Sequence, residues 1–589
     1  MKQNTFEMIR NVFLRSVAVM IVSNITLFVG GLVDSLLISR YLGTECTAAY
    51  GIVAPIALIN IMISLVFLTG FQSVCSGLLA TGKIDEASRK YSASVLLEFI
   101  LSALAASVLF FFSDDVAAAL LAGKAQSEQL KGYVSAYMAG FAPGMVALCL
   151  LPGFMFLMYL QGRGRIAFKA VLVELSVNVV GDLLNVFVFR GGMYGMGLAT
   201  SACHYCAILV FVAAMAKSPG ALKLSFRGVK LSDALSVMKV GAPVAAEKLF
   251  FSLRMFITNA ILLFIHGGVA VAAFSVMGTL QNLYNAMSIG IVATTQSAVS
   301  AFFGERDEGS LEVALKVSLL YGTLMETALA LFAFLCAPLA ARLFVADTGS
   351  EWYAMTVAAN RIFAISIPLL NINATLQKYY LATGKRGYTI AFSCLNNLVF
   401  FALSAYVLGF RFGTNGVWAS FSTGELGALL CLIAFIWMKN GRFPGKLRDY
   451  MLIPRWDVDE AGVFEGSVSD EASMARVSED AAGHCVERGA DRRTAMLMAL
   501  VIEEMTKNIL KWGADGRKRA HIDVRIVRDD DRWILRIRDD CRAFDPRKWL
   551  SIHQPETPEA NIGIRMVFGL ARDVKYVNLL GLNQLIVTI

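Results

Sequence analysis

The sequence predicts an all-α polytopic membrane domain of about twelve helices in two six-helix repeats, followed by a cytoplasmic α/β sandwich. Three observations predict it. The 589 residues are 57% hydrophobic and 17% charged, against roughly 45–50% and about 25% in soluble domains. The charge is uneven: the last 139 residues hold 21 basic and 23 acidic side chains, the first 450 only 32 and 22. That first part also carries a dozen apolar runs long enough for a ~30 Å hydrocarbon core. The balance excludes a soluble enzyme, a disordered scaffold and a collagen-like fibre. The net charge of +8 lies in loops between apolar spans, so topology explains it and nucleic-acid binding does not.

The spans fall near 16–38, 48–78, 92–112, 133–160, 168–189, 193–216, 240–263, 269–300, 315–343, 352–381, 388–410 and 415–438. The first run is too long for a cleavable signal peptide. Lys2, Arg10 and Arg15 precede it, and basic clusters follow the second, fourth, sixth, tenth and twelfth spans. The alternate loops are poorer in charge. The positive-inside rule then places both termini in the cytoplasm, in a multi-pass protein of the cytoplasmic (cell inner) membrane. The domains are a membrane body over 1–440, with lobes at about 10–216 and 235–438, a linker over 441–454 and a soluble domain over 455–589. The ten cysteines are scattered without a disulfide ladder. Cys203-His204-Tyr205-Cys206 looks like a metal or redox pair, but it lies within an apolar span with no second pair and reads as part of a plain span.

The body repeats. Gly43, Ala48-Ala49-Tyr50, Gln72-Ser73 and Ser76 recur 224 positions later as Gly267, Ala272-Ala273-Phe274, Gln296-Ser297 and Ser300. Two halves of like orientation imply a pseudo-two-fold axis along the membrane normal and a cavity between the lobes.

Charge inside the membrane costs at least ~2.5–3.5 kcal/mol, so intramembrane acids need a reason. Asp34 ends the first apolar run. In the fifth span Glu174, Asn178, Asp182 and Asn185 fall at i, i+4, i+8 and i+11. That spacing makes one polar stripe, which should face a cavity or a partner helix. Paired carboxyl groups can hold a proton and release it to water, Na⁺ or a cationic solute. In the second half Glu247, Lys248, Arg254, Glu326 and Glu425 stand inside spans without such a stripe, and His204 and His266 are isolated.

These residues resemble the MATE family of multidrug and toxic-compound extrusion transporters. Gly31-Leu32-Val33-Asp34, Gly43-Thr44-Glu45, Ala48-Ala49, Gly82-Lys83-Ile84-Asp85-Glu86-Ala87 and Tyr159-Leu160-Gln161-Gly162-Arg163-Gly164 carry the likeness, over about residues 10–440. The resemblance implies a coupling-cation site of Asp34, Asn178, Asp182 and Thr200, with Glu174 on the same stripe, and H⁺- or Na⁺-driven antiport. Some relatives carry an acid further along the seventh helix than Glu247; this chain does not match them there. Gly77-Leu78-Leu79-Ala80-Thr81-Gly82-Lys83 has P-loop spacing, but Ile84 cannot ligate Mg²⁺ and no strand precedes it. An ATP-driven pump of that class is excluded.

In the tail, a linker over 442–454 precedes a short strand at 462–468. Asp470 caps a helix to Arg488, and a second helix runs from Asp491 to about Trp512. Paired strands at 521–527 and 533–537 flank a turn at 529–531, and a helix near 564–572 precedes strands at 574–577 and 584–589. Glu504 and Asn508 share a helix face, where a carboxylate beside an amide can hold Mg²⁺. Asp539 stands at a strand end, where a carboxylate can accept the amine of adenine. Asn561-Ile562-Gly563-Ile564 opens a helix whose N-terminus can take phosphate. Together these resemble the histidine-kinase-like ATPase superfamily, especially anti-sigma-factor serine kinases. That resemblance implies Glu504 as general base, Asn508 as Mg²⁺ ligand, and Asp539 and Gly563 as ATP contacts. Cys541 and Asn561 replace glycines of the family pattern.

The leading expectation is a cation-coupled exporter of drugs or other small organic cations, with a nucleotide-binding regulatory tail that meets a cytoplasmic protein. The alternatives are a transporter-like sensor controlling a serine-kinase-type tail, and a lipid-linked-oligosaccharide flippase.

Overall fold

In lipid a segment must satisfy its own backbone, so apolar runs of this length become helices. The computed structural model describes residues 2–121, 128–217, 220, 222–345, 347–453, 462–513, 520–529, 532–552 and 562–589. The first half comprises α1 (Lys2–Leu37), α2 (Thr44–Ala80), α3 (Ile84–Phe111), α4 (Ser113–Leu121), α5 (Glu128–Phe141), α6 (Gly144–Leu160), α7 (Gly164–Leu184) and α8 (Gly192–Lys217). The second comprises α9 (Leu231–His266), α10 (Gly268–Gly304), α11 (Glu308–Arg342), α12 (Glu351–Ala382), α13 (Arg386–Cys394) and α14 (Phe401–Asn440). Ten helical runs are long and apolar enough to span, and α5 with α6, bent by 49°, make an eleventh. The run from Arg386 to Asn440 has 55 residues, ~80 Å at 1.5 Å per residue. It leaves helical geometry at Gly413 (φ 62°, ψ −144°), which divides it into two helices.

The repeat appears in the backbone. Gly43 (φ 98°) and Gly267 (φ 71°) turn the chain into α2 and α10 with left-handed φ that favours glycine. These two helices also cross: a Cβ at Gly304 would lie 2.8 Å from the Gly77 carbonyl. Gln296 there donates to the Thr69 carbonyl and to Ser73 Oγ, both at 2.9 Å. Short α4 and α15 (Leu447–Met451) escape a reading based on long apolar runs.

The tail holds one five-stranded antiparallel sheet in the order β1-β2-β3-β5-β4. Its strands are β1 (Phe464–Val468), β2 (Ile522–Asp529), β3 (Arg532–Asp539), β4 (Asp573–Leu579) and β5 (Leu582–Thr588). Helices α16 (Glu471–Glu487), α17 (Arg492–Asn508), α18 (Pro546–Ile552) and α19 (Ile562–Leu570) complete it. Asp470 and Asp491 accept from the backbone N–H of Ser473 and Thr494, capping α16 and α17 as the sequence predicts. The sequence missed α18, which starts at a proline, a residue suited to a first helical position. The linker end at 454–461, turn residues 530 and 531, and Asn561 lie outside the described residues.

One face of the sheet carries the helices; the other sits on the membrane body. Alternation along β2, β3 and β5 turns Asp523, Arg525, Arg538 and Gln584 toward that body. Arg538 reaches Asp307 at 2.7 Å and pairs with Glu305 of the α10–α11 loop. Arg525 meets Asp307 at 2.7 Å. Gln584 donates to Glu305 at 2.9 Å and to the Ala80 carbonyl at 3.2 Å. Leu580 N–H donates to the Leu160 carbonyl at 2.8 Å. The tail thus touches loop ends of both halves. Burial lowers the Arg538 guanidinium only to about 10, so it stays charged.

Asp523 lies in the same junction, near Asp307 and Glu465, and burial pushes its carboxyl up to about 7. The docked carboxyl therefore holds a proton that an undocked one, ordinarily near ~3.9, has lost. Docking should be strongest in acid and weaken as pH rises toward 7. Pulsed-EPR distances between labels on α17 and α9 should show the docked population falling at least about tenfold in equilibrium constant between pH 5.5 and 8, since one pKa unit is about 1.4 kcal/mol. Asp523→Asn should flatten that dependence.

Candidate functional site

The α7 stripe forms as its spacing predicts: Glu174, Asn178, Asp182 and Asn185 are all buried. Asn185 has a local task, bonding Gly191 N–H and the Gly192 carbonyl where the chain turns toward α8. The other three face a cavity of about 550 Å³ or lie just behind it. Asp34 descends from α1 onto Asn178 and Asp182. Among the described residues no donor reaches either Asp182 oxygen or Asp34 Oδ1. Ionised carboxylates only accept hydrogen bonds, so a proton or a cation between these two groups would supply what the protein does not.

Asp34, Glu174, Asn178 and Thr200 line the cavity; Asp182, wholly buried, stands behind Asp34. Thr200 Oγ1 is tied to the Met196 carbonyl at 3.0 Å. Tyr50 and Tyr137 add an aromatic edge-to-face pair, centroids 5.5 Å apart. The sequence places a cavity between the lobes; this one is walled by the first half alone, from α1, α2, α5, α6, α7 and α8. His204, isolated in the sequence, is not isolated here. Its Nδ1 stands 2.9 Å from Glu174 Oε1, and it lines the cavity with Cys203. No spacing rule joins positions 174 and 204, because packing of α7 on α8 brings them together.

In the tail, Asn508 and Asp539 line a second cavity of about 540 Å³ with Phe544, Tyr576 and Asn583. Asp539 Oδ1 accepts from Cys541 N–H at 2.9 Å and from the Asn583 amide at 2.7 Å. Burial pushes this carboxyl up to about 6. Asn508 donates to the Glu504 carbonyl at 2.7 Å. Glu504 is not among the lining residues; its carboxylate packs on Gly563, where a Cβ could not fit.

The MatE family profile matches residues 20–187 and 243–414, more than half of the chain. The chain belongs to the MatE family. Solved structures similar to this MatE chain include the Vibrio cholerae MATE transporter VcmN in its bent form, with 18% identity and a TM-score of 0.67 over 76% of this chain and 99% of that one. A multidrug resistance MATE family transporter of the MOP superfamily, outward-facing, matches with 19% identity and a TM-score of 0.66 over 74% and 97%. A MOP superfamily transporter from Pyrococcus furiosus, described as having a binding pocket of reverse polarity, matches with 19% identity and a TM-score of 0.65 over 75% and 97%. At these identities the likeness is one of fold: a multi-pass helical membrane body. No curated protein matches by sequence.

The second half of this MatE chain treats its charges differently. Arg254 stands 3.6 Å from Glu425 and lies over the rings of Phe251, Phe401 and Phe421. Asn373 donates to Glu425 at 2.7 Å. Glu326 accepts from Ser288 at 2.6 Å, and Glu247 pairs with Lys378 at 3.1 Å. Arg254→Met should destabilise the protein by about 3–5 kcal/mol, because it strands a buried carboxylate. Arg254→Met with Glu425→Gln should recover most of that loss in detergent thermal unfolding.

Proposed function

We propose that this MatE protein is a cation-coupled antiporter, driven by H⁺ or Na⁺, that exports small organic cations. The observation that carries the reading is the Asp34–Asp182 carboxyl pair beside a cavity, in which both Asp182 oxygens and Asp34 Oδ1 lack a donor among the described residues. Asn178, Thr200 and Glu174 provide the surrounding oxygens. No Lys or Arg is among the described residues lining that cavity. This favours a cationic solute and speaks against a pyrophosphate-linked lipid. Loop charge supports an orientation with both termini in the cytoplasm. Contacts of Asn11 with Asp540 and of Ser16 with Leu580 agree, since they set the start of α1 beside the tail.

Asp182→Asn should keep the fold, because an amide still hydrogen-bonds, yet abolish efflux driven by an imposed gradient, because an amide exchanges no proton. Efflux from vesicles holding a monodisperse Asp182→Asn protein measures this; a normal rate refutes the coupling role.

The tail is a nucleotide-binding regulator in this reading. Asn508 would hold Mg²⁺ and Asp539 would receive adenine, while Glu504 as base and Gly563 at phosphate complete the assignment. Asn508 and Asp539 share one cavity, which supports it. The second reading, a sensor that controls a kinase-type tail, draws on the docking of the sheet across both halves. Asp539→Ala should abolish ATP binding by the full-length protein in calorimetry, while a gradient should still drive efflux without nucleotide. In the unmutated protein binding should weaken as pH falls through about 6, because a protonated Asp539 loses its acceptor strength. Efflux that stops without ATP would refute secondary transport.

A further inference from the structure

Three buried side chains with metal-ligating atoms meet on the wall of the first-half cavity: Glu174 from α7, and Cys203 and His204 from α8. Their ligand atoms all lie within 4.8 Å of one another. His204 Nδ1 is 2.9 Å from Glu174 Oε1 and 3.8 Å from Cys203 Sγ. A tetrahedral ion with Zn–S near 2.3 Å and Zn–N near 2.0–2.1 Å sets sulfur and nitrogen about 3.6 Å apart, and nitrogen and oxygen about 3.3 Å apart. Small side-chain shifts therefore suffice for those two spacings. A second observation points to a ligand. Glu174 is 5% exposed, on the cavity wall, and no donor among the described residues reaches its Oε2.

We propose that Glu174, Cys203 and His204 form a three-ligand site for a zinc-class divalent cation, with the fourth coordination position open to the cavity. The donor set decides the class. A thiolate and an imidazole beside a single carboxylate suit zinc, cobalt or cadmium, whereas Mg²⁺ and Ca²⁺ need oxygen donors throughout. Two acidic groups, Asp34 and Asp182, stand nearby, and no Lys or Arg lines the cavity among the described residues. The field there favours a cation. The Cys203 thiol now donates to the Thr200 carbonyl at 3.0 Å. On binding, that hydrogen bond breaks, sulfur becomes a thiolate, and its proton leaves to the cavity. The site shares Glu174 with the antiport reading but does not rest on it, because it needs neither a gradient nor a transported solute.

The test is titration of the purified full-length protein in detergent with Co²⁺, followed by Zn²⁺. The expected result is one Co²⁺ per chain, with a thiolate-to-cobalt charge-transfer band and intense tetrahedral d–d absorption, displaced by Zn²⁺. Cys203→Ser should abolish the charge-transfer band. Cys203→Ser and His204→Gln should each weaken Zn²⁺ binding by at least about tenfold, while Cys206→Ser should change nothing. No stoichiometric binding, or a thiolate band that survives Cys203→Ser, overturns the site. Should Cys203→Ser fail to fold, alkylation of the unmutated protein decides the matter by mass spectrometry. Zn²⁺ should slow modification of Cys203 at least tenfold and leave Cys206 unaffected; equal rates at Cys203 with and without Zn²⁺ overturn the proposal. None of these readouts uses efflux. Failure of the antiport reading and failure of the metal site are therefore separable.

Discussion

The cost of an unpaired charge in hydrocarbon governs the arrangement of the membrane body. Among the described residues, the buried acids inside spans fall into three groups. Glu425 has a cation, Arg254, held against three aromatic rings. Glu326 and Glu98 have neutral partners, Ser288 for the first and the Cys149 thiol for the second. Asp34, Asp182 and Glu174 stand at a cavity, each with an oxygen that no described donor reaches. Glu326 Oε2 and Glu425 Oε1 also lack a described donor, so what sets the first-half acids apart is the cavity beside them and the pairing of two carboxyl groups.

The tail obeys the same rule on a different surface. Arg525, Arg536 and Arg538 occupy one face of the sheet, where alternation along a strand puts them, and all three are buried. A buried guanidinium needs carboxylates, and Glu305 and Asp307 supply them from the α10–α11 loop. Apolar residues extend the junction: Val577, Leu579, Leu580 and Leu582 join one hydrophobic cluster with Met8, Leu79 and Leu160. Strand β3 therefore has two duties. Arg538 engages the second half of the membrane body, and the next residue, Asp539, lines the tail cavity. Asp540 then accepts from Asn11 of α1 at 3.2 Å. The residue that grips the membrane body and the residue that lines the tail cavity are neighbours in sequence.

Much of this was legible in the sequence, and the reason is periodicity. Spans, the α7 stripe, the repeat of turn glycines and the caps at Asp470 and Asp491 are all local patterns. They appear as written because a helix or strand fixes its own period. What stayed hidden depends on packing between elements. His204 looks like an idle residue on an apolar helix until α7 delivers Glu174 to it. Cys203 is one of ten scattered cysteines until the cavity selects it. The arginines of β2 and β3 carry no local sign that their sheet will lie on a membrane body. The cavity was expected between the lobes by symmetry, but its polar lining belongs to one lobe.

That asymmetry has a consequence for how two similar halves can do different work. Both turn into their second helices through a left-handed glycine, Gly43 and Gly267, so the backbones begin alike. Side chains then part company. The first half leaves the Asp34 and Asp182 carboxyl groups side by side, with Asp34 at the edge of a cavity. The second half instead sets a carboxylate, Glu425, beside a guanidinium, Arg254. The tail, bonded to Leu160 of one half and to Asp307 of the other, spans the seam between these two unlike arrangements.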